Sequence, residues 1–431
     1  MRRSLLMASL MLVVSIGLVF AGGGAQQQTD DPMTGELRVT VQAWMLDRYD
    51  FDLMIRQFEA QRPGVRVTVN RVDNADVTTN MLEWATGRTT SDVAIGGSRE
   101  HAVQYAARNF IVPFEDSFFT GKFAKENWFP AFLELGNVEG TQYMIPFTGE
   151  IMFIAANKEL MREAGLMDAS GNIPTPRDWN QLFEYARATT ILEGGRVRQT
   201  GLSIDWGINF MMYSYLSALQ GVRGNIFEAD GRTIDFTSPQ SAELLNQWLR
   251  LVNAGYTPTD TFADMDAGRS NFRAGRVAML MTAASRWIET EAFLGENATT
   301  VIPIPGTDRN GSLVYIHGAV IPRASPRIEL AQAFVKEALL DDDLHHTALN
   351  LNGKMSPLSA HYNNLRNPDW PMVVRATETA ISTPLYRDFS RLDQTAFVEL
   401  QNFLSGAQTV QDTQNRLGSF IRTLDLSSGL R

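Results

Sequence analysis

The sequence predicts an α/β protein with more than one domain, and three observations carry that expectation. Short β-type runs alternate with helical patterns over residues 36–108. A stretch at 143–165 joins two extended segments to a capped helix, and 431 residues suffice for two or more separately buried cores. Strands alternating with helices imply a mostly parallel sheet covered on both faces. A hydrophobic content of 44% with 20% charged residues is ordinary for a soluble globular protein, so nothing in the composition opposes that class.

Residues 1–21 read as a cleavable secretory signal. Arg2 and Arg3 form a positive start, Leu5 to Phe20 is almost wholly apolar, and Val19-Phe20-Ala21 offers small residues at the cleavage positions. The apolar run is short for a membrane span of about 20 residues, so a mature chain beginning near Gly22 is expected. The paired arginines lack the longer polar context of a twin-arginine signal, which points to the general secretory route. Residues 22–35 are a flexible polar tail. Its triple glycine is not a phosphate loop, since no Gly-Lys-Ser/Thr follows and no strand precedes it.

From there the elements follow in order. Glu36–Val41 alternates as a strand, with Trp44 just past its end. Phe51, Met54, Ile55 and Phe58 fall at helical spacing, and Pro63-Gly64 stops that helix. Val65–Val69 is an alternating strand, followed by a helix at 80–87, a strand at 92–95 and a helix at 99–108. Tyr143 to Pro146 is extended, because the residue before proline avoids the helical region. Thr148-Gly149-Glu150 reads as a polar bend, Ile151–Ala156 as a buried strand, and Asn157 as the cap of a helix over 158–164 that Gly165 ends. Thr175 and Pro176 suit a helix start, and Gly275 ends a helix before a buried strand. Further on come an extended segment at 300–305, a strand at 313–321, a helix from Pro326 to Leu340 and a helical tail over 389–424. There is no internal repeat.

Charge and cysteine usage exclude several function classes. The formal net charge of −10 argues against a nucleic-acid partner, since phosphate binding needs clustered Lys and Arg. With no cysteine there can be no disulfide, thiolate metal site or cysteine nucleophile, and no lipid-modified N-terminal cysteine is expected. No Gly-x-Ser-x-Gly elbow or His-Glu-x-x-His motif is present. His345 and His346 are adjacent, so they point to different faces of a helix and cannot act as an i,i+4 chelating pair. Asp341-Asp342-Asp343 lacks the spacing and glycine of a calcium loop and reads as a solvated turn. No metal and no cofactor is called for.

Several stretches together resemble the bacterial extracellular solute-binding proteins that feed ABC importers, in particular the sugar-binding, maltodextrin-binding-like branch. Residues 143–165 are similar to that family's first interdomain crossing, with Ala156 in place of its usual tyrosine. Phe58-Glu59, Pro63-Gly64 and Val65-Arg66-Val67 match its Phe-Glu, Pro-Gly, Val-x-Val signature, and Ser91-Asp92-Val93 stands where Pro-Asp-Val is usual. Tyr105 through Ile111, Pro113 and Phe114 resembles the helix and proline turn that follow. Pro174–Leu182, Phe272–Met279 and the Gly353–Pro357 segment resemble further family elements, the last being its third crossing.

The resemblance implies a periplasmic binding protein-like fold: two α/β lobes joined by a multi-crossing hinge that closes around a ligand. The first lobe would comprise 36–148 plus 320–354 and the second 151–318 plus 357–427, with 313–321 as the second crossing. It further implies a monomer that delivers a small polar solute, most naturally a carbohydrate, to the membrane subunits of an importer. A secreted binding protein without a lipid anchor would be lost from a single-membrane cell, so the periplasm is the expected address. Two rival classes share parts of this reading. One is a secreted glycoside-active enzyme with paired carboxylates, and the other a periplasmic sensor domain of the same fold.

A sugar site needs flat aromatic faces and inward hydrogen-bonding groups. Trp44, past a strand's C-terminal end, is one candidate, because ligands in open α/β sheets sit outside those ends. Trp206 follows a strand, with Asp205 and Asn209 at hand. Trp287, beside Ser285 and Arg286, stands where the family often presents a stacking aromatic. Glu150 would lie at the mouth of the cleft, and His317 on the second crossing. The expected ligand contacts are therefore Trp44, Glu150, Trp206, Arg286, Trp287 and His317, with Trp179 and Trp248 assigned to packing.

Overall fold

The computed structural model describes residues 31–73, 82–307, 309–363 and 365–430. The expected signal at 1–21 and the start of the helix expected at 80–87 lie outside them. None of the described helices is long and apolar enough to cross a membrane.

In chain order the strands of the main sheet are β1 (Gly35–Gln42), β2 (Val65–Val72), β3 (Val93–Gly97), β4 (Ile145–Asn157), β5 (Ile191–Glu193), β6 (Arg196–Ile204), β7 (Val277–Ala283), β8 (Thr299–Ile302), β9 (Leu313–Val320) and β10 (Ile381–Ser382), apart from a small hairpin of Asn137–Val138 with Thr141–Gln142. The helices that matter to the site are α1 (Phe51–Gln61), α2 (Arg99–Ala107), α3 (Lys158–Glu163), α4 (Trp179–Thr189), α5 (Phe210–Arg223), α6 (Pro239–Asn253), α7 (Asp266–Arg273), α8 (Ser285–Leu294), α9 (Ile328–Phe334), α10 (Asp342–Asn352), α11 (Trp370–Thr377), α12 (Phe389–Leu404) and α13 (Val410–Ile421).

All ten strands join one mixed sheet in the order β2-β1-β3-β9-β4-β7-β6-β5, with β8 on β4 and β10 on β9. The parallel pairing expected for the N-terminal strands is present in β1-β2 and β1-β3, whereas β9 is antiparallel to both β3 and β4, and β4 to β7. The sheet is thus mixed because the chain returns along β9 between two parallel sets.

β4 is the long member. Its 13 residues, all buried, run about 40 Å. Alternation places Met152, Ile154 and Ala156 in one apolar core with α4, α5, α6, α12 and α13, and Ile151, Phe153 and Ala155 in a second with Trp287 and Trp370. Ile145 and Phe147, at its start, belong to a third core with β1, α1 and α9. One strand therefore ties three cores together. The polar bend expected at 148–150 is absent: Thr148, Gly149 and Glu150 pair in register with His317, Ile316 and Tyr315 of β9. Pairing on both sides satisfies the backbone there, so the polar residues stay in the strand.

The local signals otherwise act as expected. Asn157 accepts from the Leu160 N–H and caps α3. The helix expected from Pro326 to Leu340 is α9 followed by a π-helical turn at Val335–Leu339, and the tail divides into α12 and α13 at Gly406, whose φ is +78°. Asp341 is more than a solvated turn, since it caps α10 by accepting from the Leu344 N–H.

Candidate functional site

Where β4 pairs with β9, Glu150 is 2% exposed, and two distant segments converge on its carboxylate. Oε1 accepts from Ser285 Oγ at 2.9 Å and from Lys354 Nζ at 2.5 Å. Ser285 opens α8, and Lys354 follows α10 directly after Gly353. Gly353 has φ +63°, and a Cβ there would lie 2.9 Å from the Ser285 backbone. Glycine thus both ends α10 and lets it close on α8, which is what delivers the ammonium to Glu150.

One turn into α8, Arg286 donates to Glu289, whose Oε1 also lies 3.4 Å from Arg48 Nε and 3.8 Å from Lys354 Nζ. Burial pushes the Glu289 carboxyl up, but Arg286, Lys354 and Arg48 outweigh it and hold the group below the usual carboxylate range. Burial pulls Lys354 below the ordinary lysine value, with Glu150 opposing. Burial likewise acts against the charged Arg286, and Glu289 and Glu150 more than compensate.

Aromatic rings line the rest. Lys354 Nζ lies 5.2 Å from the Trp44 ring centroid, Trp44 meets His317 edge-on at 4.9 Å, and His317 meets Tyr315 at 5.9 Å. Tyr315 packs on Tyr213 of α5 at 4.8 Å and on Phe210 at 6.0 Å. Arg269 lies over Phe210 at 4.7 Å and donates twice to Asp205 Oδ2, at 3.0 and 2.6 Å, while Thr282 Oγ donates to the same oxygen at 2.7 Å. Burial pushes the Tyr315 phenol well above its ordinary value and pulls His317 down to about 4, so the imidazole is neutral near pH 7. His317 Nδ1 lies 3.2 Å from the Gly96 carbonyl oxygen.

Among the described residues several buried polar atoms in this seam have no hydrogen-bond partner: Glu150 Oε2, Asp205 Oδ1 and Arg286 Nε, while Glu289 Oε1 has only its longer ion-pair contacts to Arg48 and Lys354. Buried polar atoms ordinarily find partners, and those that do not mark places where another molecule can supply them.

Of the residues expected from the sequence, Trp44, Glu150, Arg286 and His317 come together here. Trp206 and Trp287 do not. The sequence reading has each wet on one side, yet both are fully buried. Trp206 packs against Trp248 and Phe262, each at 5.6 Å, and Trp287 against Trp370 at 4.8 Å. The reason is geometric. Arg286 and Glu289 share a helix face three residues apart, so Trp287, about 100° round the axis, turns away from it. Asp205 faces Arg269 and Thr282, and its neighbour Trp206 falls on the opposite side. Trp179 and Trp248 pack at 6.1 Å, as expected of packing residues.

Lys354, Glu289, Tyr213 and Tyr315 were not foreseen as contacts. Two carried a readable signal: Tyr315 is two residues before His317 on a strand, and Glu289 is three after Arg286 on a helix. Lys354 lies on the expected third crossing, but its contact with Glu150 depends on how α10 docks on α8.

Over residues 54–351 the chain matches the family model described as bacterial extracellular solute-binding protein. No curated protein matches by sequence. Among solved structures, an ABC transporter solute-binding protein from Thermotoga lettingae bound with α-D-tagatose is similar at TM-score 0.79 and 18% identity, over 90% of this chain and 99% of that one. Maltose-bound T. maritima MalE3 is similar at TM-score 0.76 and 17% identity, over 90% and 99%. An Agrobacterium radiobacter solute-binding protein in complex with ribitol follows at TM-score 0.73 and 16% identity, over 91% and 100%. At these identities the likeness is one of fold, a mixed α/β architecture of the periplasmic binding protein type.

Proposed function

The chain belongs to the bacterial extracellular solute-binding proteins, and from that premise we propose that it captures a sugar or related polyhydroxy solute and hands it to an ABC importer. One observation carries the reading. Where β4 pairs with β9, aromatic rings stand beside buried polar atoms that have no hydrogen-bond partner among the described residues. A sugar offers both complements, with C–H faces for the rings and hydroxyls for the carboxylates and guanidinium. The similar structures that hold tagatose, maltose and ribitol support a solute of that class.

In this reading Trp44 supplies the stacking face, Glu150 and Arg286 bond hydroxyls, and His317 orients Trp44 from the side. The site binds without catalysing. Its charged groups are tied to one another, as Lys354 is to Glu150 and Arg286 to Glu289, so they act as fixed acceptors and donors. The lobes are 36–148 with 320–354 and 151–318 with 357–427. They close by bending at β4, β9 and the 353–357 segment. The separate cores around Phe147 and around Ile154 support rigid lobes on either side of Glu150. The protein works as a monomer in the periplasm, reached through a signal cleaved near Gly22.

A thermal-shift screen over neutral and aminated sugars and polyols, followed by calorimetry on each hit, tests the proposal, because a ligand that binds only the folded state raises the melting temperature. Saturable one-to-one binding of a polyhydroxy solute is expected. No binding by any member of the panel overturns it.

A further inference from the structure

Two carboxylates in the buried seam stand outside its ion pairs. Lys354 pairs with Glu150, Arg286 with Glu289 and Arg269 with Asp205. Two more carboxylates, Glu100 on α2 and Asp393 on α12, are 8% and 4% exposed, and among the described residues neither takes part in an ion pair. Glu100 Oε1 and Asp393 Oδ1 have no hydrogen-bond partner. Arg99, the neighbouring cation, is directed to Ser382 Oγ at 2.5 Å instead.

The two carboxylates come from segments far apart in the chain, carried on helices that dock side by side. Gln104 Nε2 donates to Ser390 Oγ at 3.3 Å, holding α2 beside α12. Glu100 lies one turn from Gln104, and Asp393 about one turn from Ser390, each on the same face of its helix. Asp393 is also held by the backbone N–H of Asn209, and both carboxylates act on the Tyr213 phenol, whose ring packs against Tyr315 of the proposed site. The pair is thus continuous with the proposed ligand site. Burial, then the charge of Glu100, pushes Asp393 up to about 7. The other titratable groups nearby are Arg99 and His101 on α2 and His317 on β9, and His317 is neutral near pH 7.

We infer that Glu100 and Asp393 form a cation subsite, and that the solute is an aminated sugar or amino-polyol whose ammonium group sits between them. The inference rests on the solute-binding reading above and narrows it. Two buried carboxylates that share only Arg99 as a neighbouring cation are costly, and a ligand ammonium offers both the charge and up to three N–H donors to their free oxygens. A hydroxyl could bond the same oxygens but would leave the charge uncompensated.

The test is calorimetry at pH 8 with matched pairs, 6-amino-6-deoxyglucose against glucose and glucamine against sorbitol, on the wild type, Glu100→Gln and Asp393→Asn. The aminated member is expected to bind at least about tenfold more tightly, the gain typical of a charge-assisted hydrogen bond. Each substitution should remove that preference. Removing an uncompensated buried charge should leave the melting temperature level or raise it, so a folded variant is assured as a control. Equal or tighter binding of the neutral members overturns the cation subsite and leaves the solute-binding reading standing. A preference that survives both substitutions also overturns it. If neither neutral nor aminated solutes bind, the broader reading falls with it.

Discussion

Lys354 Nζ and Glu150 Oε1 lie 2.5 Å apart, although 204 residues separate them in the chain. Their side chains are 4% and 3% exposed, so the pair is shielded from solvent and from salt. It also joins the β4 crossing to the segment after α10, both of which form the proposed hinge. Losing one partner strands a buried charge. Glu150→Gln and Lys354→Met are each expected to lower stability by roughly 3 kcal/mol, with the double variant losing clearly less than their sum. Urea midpoints of the four proteins measure this, and strict additivity would show that the pair is not coupled.

The indoles should divide into two classes. Trp44 is half-buried beside Lys354 and His317, so Trp44→Ala should weaken solute binding about ten- to hundredfold with little loss of stability. Trp206 and Trp287 sit in sealed cores, and truncating either to Ala should cost about 3–5 kcal/mol of stability. Calorimetry beside the urea midpoint of each variant separates the classes. A stable Trp206→Ala with weakened binding would return that residue to the ligand site.

Stability should fall as pH drops from about 6.5 towards 3. His345 is fully buried, and its imidazole is pulled down to about 3, first by burial and then by His361, against its ordinary value near 6.5. Over that window the unfolded chain takes up a proton at this residue that the folded chain does not. Stability therefore rises with pH there, by up to about 1.4 kcal/mol per pH unit for a single group, and levels off above 6.5. His345→Gln should flatten the profile of melting temperature against pH. An unchanged slope would assign it to other groups, such as His361, which burial also lowers.

Closure should be visible in solution. If the lobes move as rigid bodies about β4, β9 and the 353–357 segment, saturating solute should reduce the radius of gyration and leave helix content unchanged. Small-angle scattering with circular dichroism on the same samples checks both. Binding without compaction would argue against a hinge, and Gly353→Ala, which pushes α10 off Ser285, should weaken both binding and closure.

Much of this protein was written in local sequence. The period-2 runs of β1 and β2, the asparagine cap of α3 and the glycine stop at Gly275 depend on neighbours a few residues away, and the structure keeps them. Local sequence also pointed to four of the residues that the fold brings together at the proposed site: Trp44, Glu150 and His317 lie at a strand end or on the crossings, and Arg286 follows a strand in the first turn of α8. Tertiary structure alone decided the rest. Whether Thr148-Gly149-Glu150 bends or stays extended depended on β9 arriving to pair with it. Whether Trp287 or Arg286 faces the site depended on the rotation of α8, and sequence spacing relates residues within a helix without fixing how that helix is turned on its neighbours. Lys354 and Glu150 are partners across 204 residues, and no periodicity reaches so far. Burial then turned these ordinary polar residues into a charged site, because a carboxylate without a counter-charge matters only once the fold has taken water away.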